Sequence, residues 1–179
     1  GIPVEDTVGF GDSMNDEAML KTVGLSLCMA NGSEKMKELA DDIGKTVLMG
    51  KIDRNKILYI AKSEPQHPIV LTPSIGDEEP IKNTSFAKIA EVFTHHEKRI
   101  CQLTKEEKSC IRTNKLATYG FDQNTPFYNI ASPIYNFESR LSGVLAVFGV
   151  KEDGRDYELE QEKIKACTRR ISEKLGYVY

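Results

Sequence analysis

The feature that most constrains the fold is an unbroken apolar run at residues 143–150, GVLAVFGV. Its length suits a β-strand, and a continuous rather than alternating apolar pattern is typical of a strand covered on both faces. The run falls far short of the ~20 residues that a membrane-spanning helix needs. The sequence therefore predicts a layered fold in which other elements cover both sides of a sheet.

The first forty residues alternate between strand and helix patterns. A short β-type run at residues 7–10 precedes a stretch with helical spacing at 15–23, and a second apolar run occupies 25–30. Ser33 then precedes a helix with apolar residues at helical spacing, and Gly44 is placed to end it. This order predicts a β-α-β-α unit.

After Gly44 the pattern changes to strands joined by turns. Two strands, at residues 45–50 and 56–60, flank a polar turn, as in a hairpin. A helix is predicted to begin at Thr84, and Thr104 with Glu107 resembles a capping box that opens a helix ending near residue 117.

The C-terminal third predicts two strands and a long helix. The strand at 127–135 contains Pro133, which argues for a sheet edge or a bulge. The last helix, about 156–175, carries an apolar stripe of Leu159, Ile164, Cys167, Ile171 and Leu175. Together the elements predict an α+β fold with a mostly antiparallel sheet and flanking helices.

Charge and cysteine spacing exclude several classes of function. A net charge of −3 and a pI near 5.7 give no general attraction to nucleic acid, so this chain is not expected to bind DNA directly. No signal segment opens the sequence, which predicts a cytoplasmic protein with no membrane partner. Four cysteines lack C-x-x-C spacing and are interpreted as reduced thiols, mostly in the core: Cys28, Cys101, Cys110 and Cys167.

Residues 11–20, GDSMNDEAML, are followed by LCMANG at 27–32 and KELAD at 37–41. Together they resemble the fourth motif of haloacid-dehalogenase (HAD) phosphatases of the Cof type, over residues 1 to about 43. The resemblance implies that Asp12 and Asp16 could hold Mg²⁺, while Asn15 would help to position a phosphate. It also implies an aspartate nucleophile, a Ser or Thr and a Lys from earlier strands, and none of these precedes Gly11. We therefore expect no phosphatase activity from this sequence and interpret the two aspartates as a relic.

A second set of segments begins where the first ends. The set consists of LADDIGKTVL at 39–48, IGDEEPI at 75–81, NTSFAKIA at 83–90, IASPIY at 130–135 and ISEKLGY at 171–177. In order and spacing they resemble the effector-binding domain of IclR-family bacterial transcription regulators, over nearly all of residues 39–179.

The IclR resemblance implies a GAF-like sheet with a ligand cavity, binding without turnover, and dimers or tetramers. The pocket positions that it implies are Asn83, Thr84, Ser85, Phe86, Ala87, Asp122, Asn129, Phe148 and Val150. Amides at the start of the Thr84 helix could hold a carboxylate. Phe148 and Val150 stand where many members have hydroxyl residues, which favours an aromatic or largely apolar acid. The alternative is a cavity that Phe148 and its neighbours pack shut.

The sequence thus predicts a HAD-like fragment at 1–38 and an IclR-like effector-binding domain at 39–179. The predicted function is effector sensing in a transcription regulator whose DNA-binding module is absent from this sequence. One alternative is the C-terminal part of a Mg²⁺-dependent HAD phosphatase with an appended regulatory domain, and another is an oligomerisation module that binds no ligand. No cofactor is required for sensing, Mg²⁺ could bind only at the HAD-like motif, and a homo-oligomer is expected.

Overall fold

The computed structural model describes residues 3–4, 7–11, 25–53, 56–66, 72–82, 84–94, 101–122 and 124–179. Within these residues no helix is long and apolar enough to cross a membrane. The helix predicted at 15–23 lies outside the described residues. So do four predicted site residues: Asp12, Asn15, Asp16 and Asn83.

The described part of the N-terminal region contains two short strands and a helix. Strands β1 (Val8–Gly11) and β2 (Leu25–Cys28) pair in parallel, and helix α1 (Met29–Ile43) follows β2 directly. The expectation that the strand reaches residue 30 and that the helix begins after Ser33 is wrong. Because Met29 and Ala30 are strong helix formers, the helix begins at Met29, five residues earlier than a start after Ser33. Gly44, with a φ of 65°, follows its last residue as predicted.

Six strands form a single sheet that is antiparallel throughout. In chain order they are β3 (Thr46–Asp53), β4 (Lys56–Ser63), β5 (Glu78–Pro80), β6 (Ala117–Tyr119), β7 (Phe127–Tyr135) and β8 (Leu141–Val150). Their spatial order is β5-β4-β3-β8-β7-β6. The apolar run that predicts a doubly covered strand is thus β8, near the middle of the sheet.

Three further helices flank the sheet: α2 (Ser85–Phe93), α3 (Lys105–Asn114) and α4 (Glu158–Lys174). The predicted capping box is confirmed, because Thr104 Oγ1 accepts from the Glu107 amide at 3.1 Å while the Glu107 carboxylate accepts from the Thr104 amide at 2.8 Å. The predicted end of α3 is wrong. The helix stops at Asn114, and Ala117 begins β6 because it pairs with Ala131 of β7.

The sheet separates two apolar clusters. Helices α1 and α4 cover one face, where Met36, Leu39 and Ile164 pack against Val147. Helices α2 and α3 cover the other face, where Phe86, Ile89 and Ile111 pack among side chains that include Leu48 and Ala146. The alternation of Val147 and Ala146 between the two clusters follows from the two-residue period of a strand.

Pro133 lies in the part of β7 that pairs with β8 but not with β6. β6 pairs only with residues 129–131, and the register between β7 and β8 shifts between Ile134 and Tyr135. A proline without an amide hydrogen is tolerated at such a place. The predicted edge or bulge is therefore confirmed.

The predicted apolar stripe of the last helix is wrong at Leu159. Leu159 is 64% exposed, whereas the next residue, Glu160, is 4% exposed. Glu160 is buried because its carboxylate accepts from the Tyr128 hydroxyl at 2.6 Å and pairs with Arg155 at 2.7 Å. A fixed pair of donors thus holds the acidic residue inward and leaves Leu159 outside.

The described cysteines are free thiols with different surroundings. Cys167 is buried, Cys101 is half-buried and Cys110 is exposed. The interpretation of the cysteines as mostly core residues is therefore wrong for Cys110. Its exposure follows from its place on the polar side of α3, whose only buried residue is Ile111.

Candidate functional site

The N-terminus of α2 is attached to the sheet by its own first residues. Thr84 is the N-cap residue, and its hydroxyl accepts from the Ala87 amide at 3.4 Å. The Ser85 amide donates to Asn129 Oδ1 of β7 at 3.1 Å, a buried hydrogen bond. Ser85, Phe86 and Ala87 are all buried. The helix therefore presents its positive end to the sheet.

Below this helix end, neighbouring strands present a polar side chain beside an aromatic one. Asn129 is the cross-strand partner of Phe148, which is in turn the partner of Thr46 in β3. Directly opposed residues have Cβ atoms about 5 Å apart on the same face of a sheet. The Phe148 ring lies 6.2 Å from that of Phe86, which meets Tyr59 edge to face at 5.9 Å. The Asn129 amide group is thus next to a row of neighbouring aromatic rings, those of Phe148, Phe86 and Tyr59, which we call the aromatic wall.

Two buried hydroxyls on this side of the sheet lack a hydrogen-bond partner among the described residues. They belong to Ser85, at the start of α2, and to Tyr135, whose ring contacts Phe93 at the end of α2. Buried side-chain hydroxyls are paired in the large majority of cases, so each exception needs an explanation. A ligand or water that supplies the missing partner would explain the Ser85 hydroxyl.

The structure brings together six of the predicted pocket residues: Thr84, Ser85, Phe86, Ala87, Asn129 and Phe148. Asp122 is exposed after the turn at Gly120, and Val150 pairs with Phe127 where β8 ends. Ala87, in the first turn of α2, is fully buried.

Tyr59 and Cys101 also border this site, and the sequence argument missed both. The Tyr59 hydroxyl donates to the Glu79 carboxylate of β5 at 3.0 Å, and burial, reinforced by that carboxylate, raises the Tyr59 pKa far above its ordinary value. Burial, followed by the charge of Glu91, raises the pKa of Cys101 to about 11, although a hydrogen bond from the Thr84 backbone acts the other way. The thiol is therefore neutral at pH 7.

Different signals mark these two missed residues. Tyr59 belongs to an alternating pattern with Ile57, both of which are buried, so strand periodicity could have placed it on the α2 face. No local pattern marks Cys101. Its position next to Thr84 depends on packing between the end of a loop and the start of α2.

A concavity lies outside the sheet, between α3, the edge strand β6 and α4. It has a volume of about 640 Å³, and its walls carry charges of both signs, including Lys88, Lys165 and Glu162. The Lys88 ammonium donates to the Thr118 carbonyl of β6 at 2.8 Å. This edge carbonyl is thus already satisfied, and the groove has no aromatic wall comparable to that beside α2.

Two family models match the chain. The model described as bacterial transcriptional regulator IclR C-terminal matches residues 27–173, and the model described as haloacid dehalogenase-like hydrolase matches residues 1–48. The two matches overlap over residues 27–48, which contain α1 and the start of β3. The segments that carry the two resemblances, at 37–41 and 39–48, both lie within this overlap.

Two curated relatives match short stretches of the chain. The phosphatase YwpJ of Bacillus subtilis is 42% identical over 45 residues, which are 25% of this chain and 16% of YwpJ. The 5-amino-6-(5-phospho-D-ribitylamino)uracil phosphatase YcsE of the same organism is 44% identical over 46 residues, 26% of this chain and 18% of YcsE. The chain therefore spans less than a fifth of either phosphatase.

Solved structures match most of the chain. The Thermotoga maritima IclR has a TM-score of 0.70 at 17% identity, covering 91% of this chain and 73% of its own. HmgR of Pseudomonas aeruginosa has a TM-score of 0.69 at 18% identity, covering 89% and 70%. The C-terminal domain of E. coli KdgR has a TM-score of 0.64 at 17% identity, covering 82% and 97%. The α+β fold with its curled antiparallel sheet is that of these domains, and the chain belongs to the IclR family of bacterial transcriptional regulators, whose C-terminal, effector-binding domain it contains.

Proposed function

We propose that this domain senses a small aromatic or otherwise largely apolar carboxylic acid, bound without turnover between the start of α2 and the sheet. The observation that carries the proposal is the buried Ser85 hydroxyl, which lacks a partner among the described residues. The Ser85 amide contacts Asn129, whose cross-strand neighbour is Phe148. The site combines a group that can donate to an anion with an apolar surface.

The start of α2 favours the carboxylate end of such a ligand. The first-turn amides and the helix dipole give this end of the helix a partial positive charge. The Ser85 hydroxyl can add a donor, because a serine hydroxyl donates one hydrogen bond. The carboxylate would therefore lie at the first turn of α2.

The aromatic wall favours an apolar body. Phe148 and Phe86 offer ring faces and no hydrogen bonds, so the hydroxyls of a sugar acid would lose water there without compensation. Each buried polar group left unpaired costs ~1–3 kcal/mol. An aromatic acid avoids this cost and gains aromatic contacts.

A panel of thermal-shift measurements tests the proposal. At a hundredfold excess over its dissociation constant, a ligand stabilises the fold by ~2.7 kcal/mol, which for a domain of this size is about 5–10 °C in melting temperature. We expect such shifts with benzoate, phenylacetate or similar acids and none with polar hydroxy acids. The reverse ranking would refute the proposal. If no compound raises the melting temperature of the wild type or of Phe148→Ser, the result would favour a pocket that is packed shut.

We also propose that the domain acts as a cytoplasmic homo-oligomer that leaves DNA binding to another module. The net charge of −3 supports the second part, because it gives no general attraction to DNA. Sedimentation at micromolar concentration tests the first part. A monomer there would contradict it.

The HAD-like match at residues 1–48 supports a second candidate, a phosphatase fragment with a regulatory domain. We favour a non-catalytic role for this segment, because the HAD-like match covers residues 1–48 whereas the IclR C-terminal match covers residues 27–173. Hydrolysis of p-nitrophenyl phosphate with Mg²⁺ tests this choice. We expect none, and turnover that disappears in Asp12→Asn would overturn our preference.

A further inference from the structure

The carboxylate position proposed at α2 is partly occupied by the protein itself. The Ser85 amide already donates to Asn129 Oδ1, and the Ala87 amide already donates to Thr84 Oγ1. A carboxylate that reaches the first turn of α2 must therefore compete with these internal acceptors. The Thr84 contact belongs to the helix cap, whereas the Asn129 contact comes from another element 44 residues away in sequence.

Asn129 also stands between the two halves of the proposed ligand site. It pairs with Tyr119 of β6 on one side and with Phe148 of β8 on the other, and only 8% of it is exposed. Its backbone is therefore fixed within the sheet, and its side chain reaches up to α2. A ligand with its carboxylate at Ser85 and its ring at Phe148 has to cross this side chain.

We propose that Asn129 is an internal competitor whose amide oxygen occupies the carboxylate position until the effector displaces it. This inference rests on the proposed function. A carboxylate accepts a stronger, charge-assisted hydrogen bond from a backbone amide than a neutral amide oxygen does, so the exchange favours an anion. The displaced Asn129 side chain can then turn its NH₂ group towards the ligand, because a primary amide carries both donors and an acceptor.

The exchange makes the site selective for charge as well as shape. A neutral alcohol or amide would replace one neutral acceptor with another and gain little at the Ser85 amide. The Ser85 hydroxyl, which has no partner among the described residues, gives the incoming carboxylate a second donor. Because a ligand must displace this internal hydrogen bond, an acid should bind more tightly than its neutral analogue.

Titration of the full chain with benzoate and with benzyl alcohol tests this inference. In Asn129→Ala the competing acceptor is gone, and we expect benzoate to bind about fivefold more tightly than to the wild type. In Asn129→Asp a fixed carboxylate faces α2, and we expect benzoate binding to weaken more than tenfold while benzyl alcohol binds as weakly as before. Asn136→Ala, at the other end of β7, is the matched control and should leave both affinities unchanged.

Each outcome decides between the two ideas. Benzoate binding that is equal or weaker in Asn129→Ala, or unweakened in Asn129→Asp, would overturn the role of Asn129 and leave the proposed function standing. If no aromatic acid binds the folded wild type or either variant, the proposed function fails and the competitor with it. Asn129→Asp keeps a side chain of the same shape, so it decides the question even if Asn129→Ala does not fold.

Discussion

The two faces of the six-stranded sheet treat their buried polar groups differently. On the α1 and α4 face, the Tyr128 hydroxyl donates to Glu160 at 2.6 Å, and the hydroxyls of Ser132 and Thr168 lie 2.8 Å apart. On the α2 face, the hydroxyls of Ser85 and Tyr135 are buried without a partner among the described residues. The polar groups named on the first face are paired within the protein, whereas the two hydroxyls on the second face could be paired by a ligand or water.

This difference teaches where stability and function lie. A satisfied buried network strengthens the fold, whereas an unsatisfied buried group costs ~1–3 kcal/mol until a partner arrives. Substitutions on the α1 and α4 face should therefore change stability without changing ligand binding. Removal of the unpaired Ser85 hydroxyl on the α2 face should do the opposite.

The largest effect on stability is expected in the apolar cluster between the sheet and helices α1 and α4. Ile164 is fully buried between α4 and the sheet, so Ile164→Ala should lower the free energy of unfolding by about 3 kcal/mol through lost contacts and a cavity. The exposed Leu159 on the same helix is the control, and Leu159→Ala should cost less than ~0.5 kcal/mol. Urea denaturation measures both values. Equal losses at the two positions would contradict the observed orientation of α4.

The same chemical change at two tyrosines tests the comparison itself. Tyr128→Phe should destabilise the domain by about 1–2 kcal/mol, because the Glu160 carboxylate loses the buried hydrogen bond that it accepts from the Tyr128 hydroxyl. Tyr135→Phe should be neutral or stabilising, because its hydroxyl has no partner among the described residues. Thermal unfolding of the two variants gives the answer. A loss in Tyr135→Phe as large as in Tyr128→Phe would remove the distinction between the faces.

Two serines repeat the comparison at smaller scale and add a binding measurement. Ser132→Ala should cost about 1 kcal/mol, since it breaks contacts with the Lys115 carbonyl and Thr168, yet leave benzoate affinity unchanged. Ser85→Ala should leave stability nearly unchanged and weaken benzoate binding about fivefold. Parallel denaturation and calorimetric titration separate the two effects. Unaltered binding in Ser85→Ala would count against a role for this hydroxyl.

The smallest effect concerns the pH dependence of an exposed carboxylate. Hydrogen bonds from Arg155 and Lys45 lower the pKa of Glu152 from its ordinary value of 4.5 to about 2. Because the folded pKa lies below the unfolded one, this stabilisation is present above about pH 4.5 and is lost as the pH falls towards 2. The stability difference between wild type and Glu152→Gln should thus shrink between pH 5 and pH 2. A constant difference over that range would show that Glu152 does not titrate as described.

Local sequence signals predicted the elements well. The capping box at Thr104, the glycine stop at Gly44 and the central strand β8 depend on residues close together in sequence, and the structure confirms all three. The general architecture follows from the order of these elements. Their exact ends do not, because pairing between strands decides them, as at Ala117.

Contacts between distant residues could not be predicted in the same way. The hydrogen bond from Ser85 to Asn129 joins residues 44 positions apart, and the one from Tyr128 to Glu160 joins residues 32 apart. The family resemblance placed Asn129 near the pocket. It did not indicate that Asn129 Oδ1 accepts a hydrogen bond from the first amide of α2, that of Ser85. Sheet register and helix packing together produce that contact.

A crystal structure of the chain with its best-binding aromatic acid would test the central claim most directly. We predict a carboxylate oxygen within about 2.7–3.1 Å of the Ser85 amide nitrogen or hydroxyl, with the ring of the ligand against Phe148. Asn129 should have turned away from the Ser85 amide. A ligand bound instead in the groove between α3, β6 and α4, with the hydrogen bond from Ser85 to Asn129 intact, would contradict the assignment of the α2 face as the effector site.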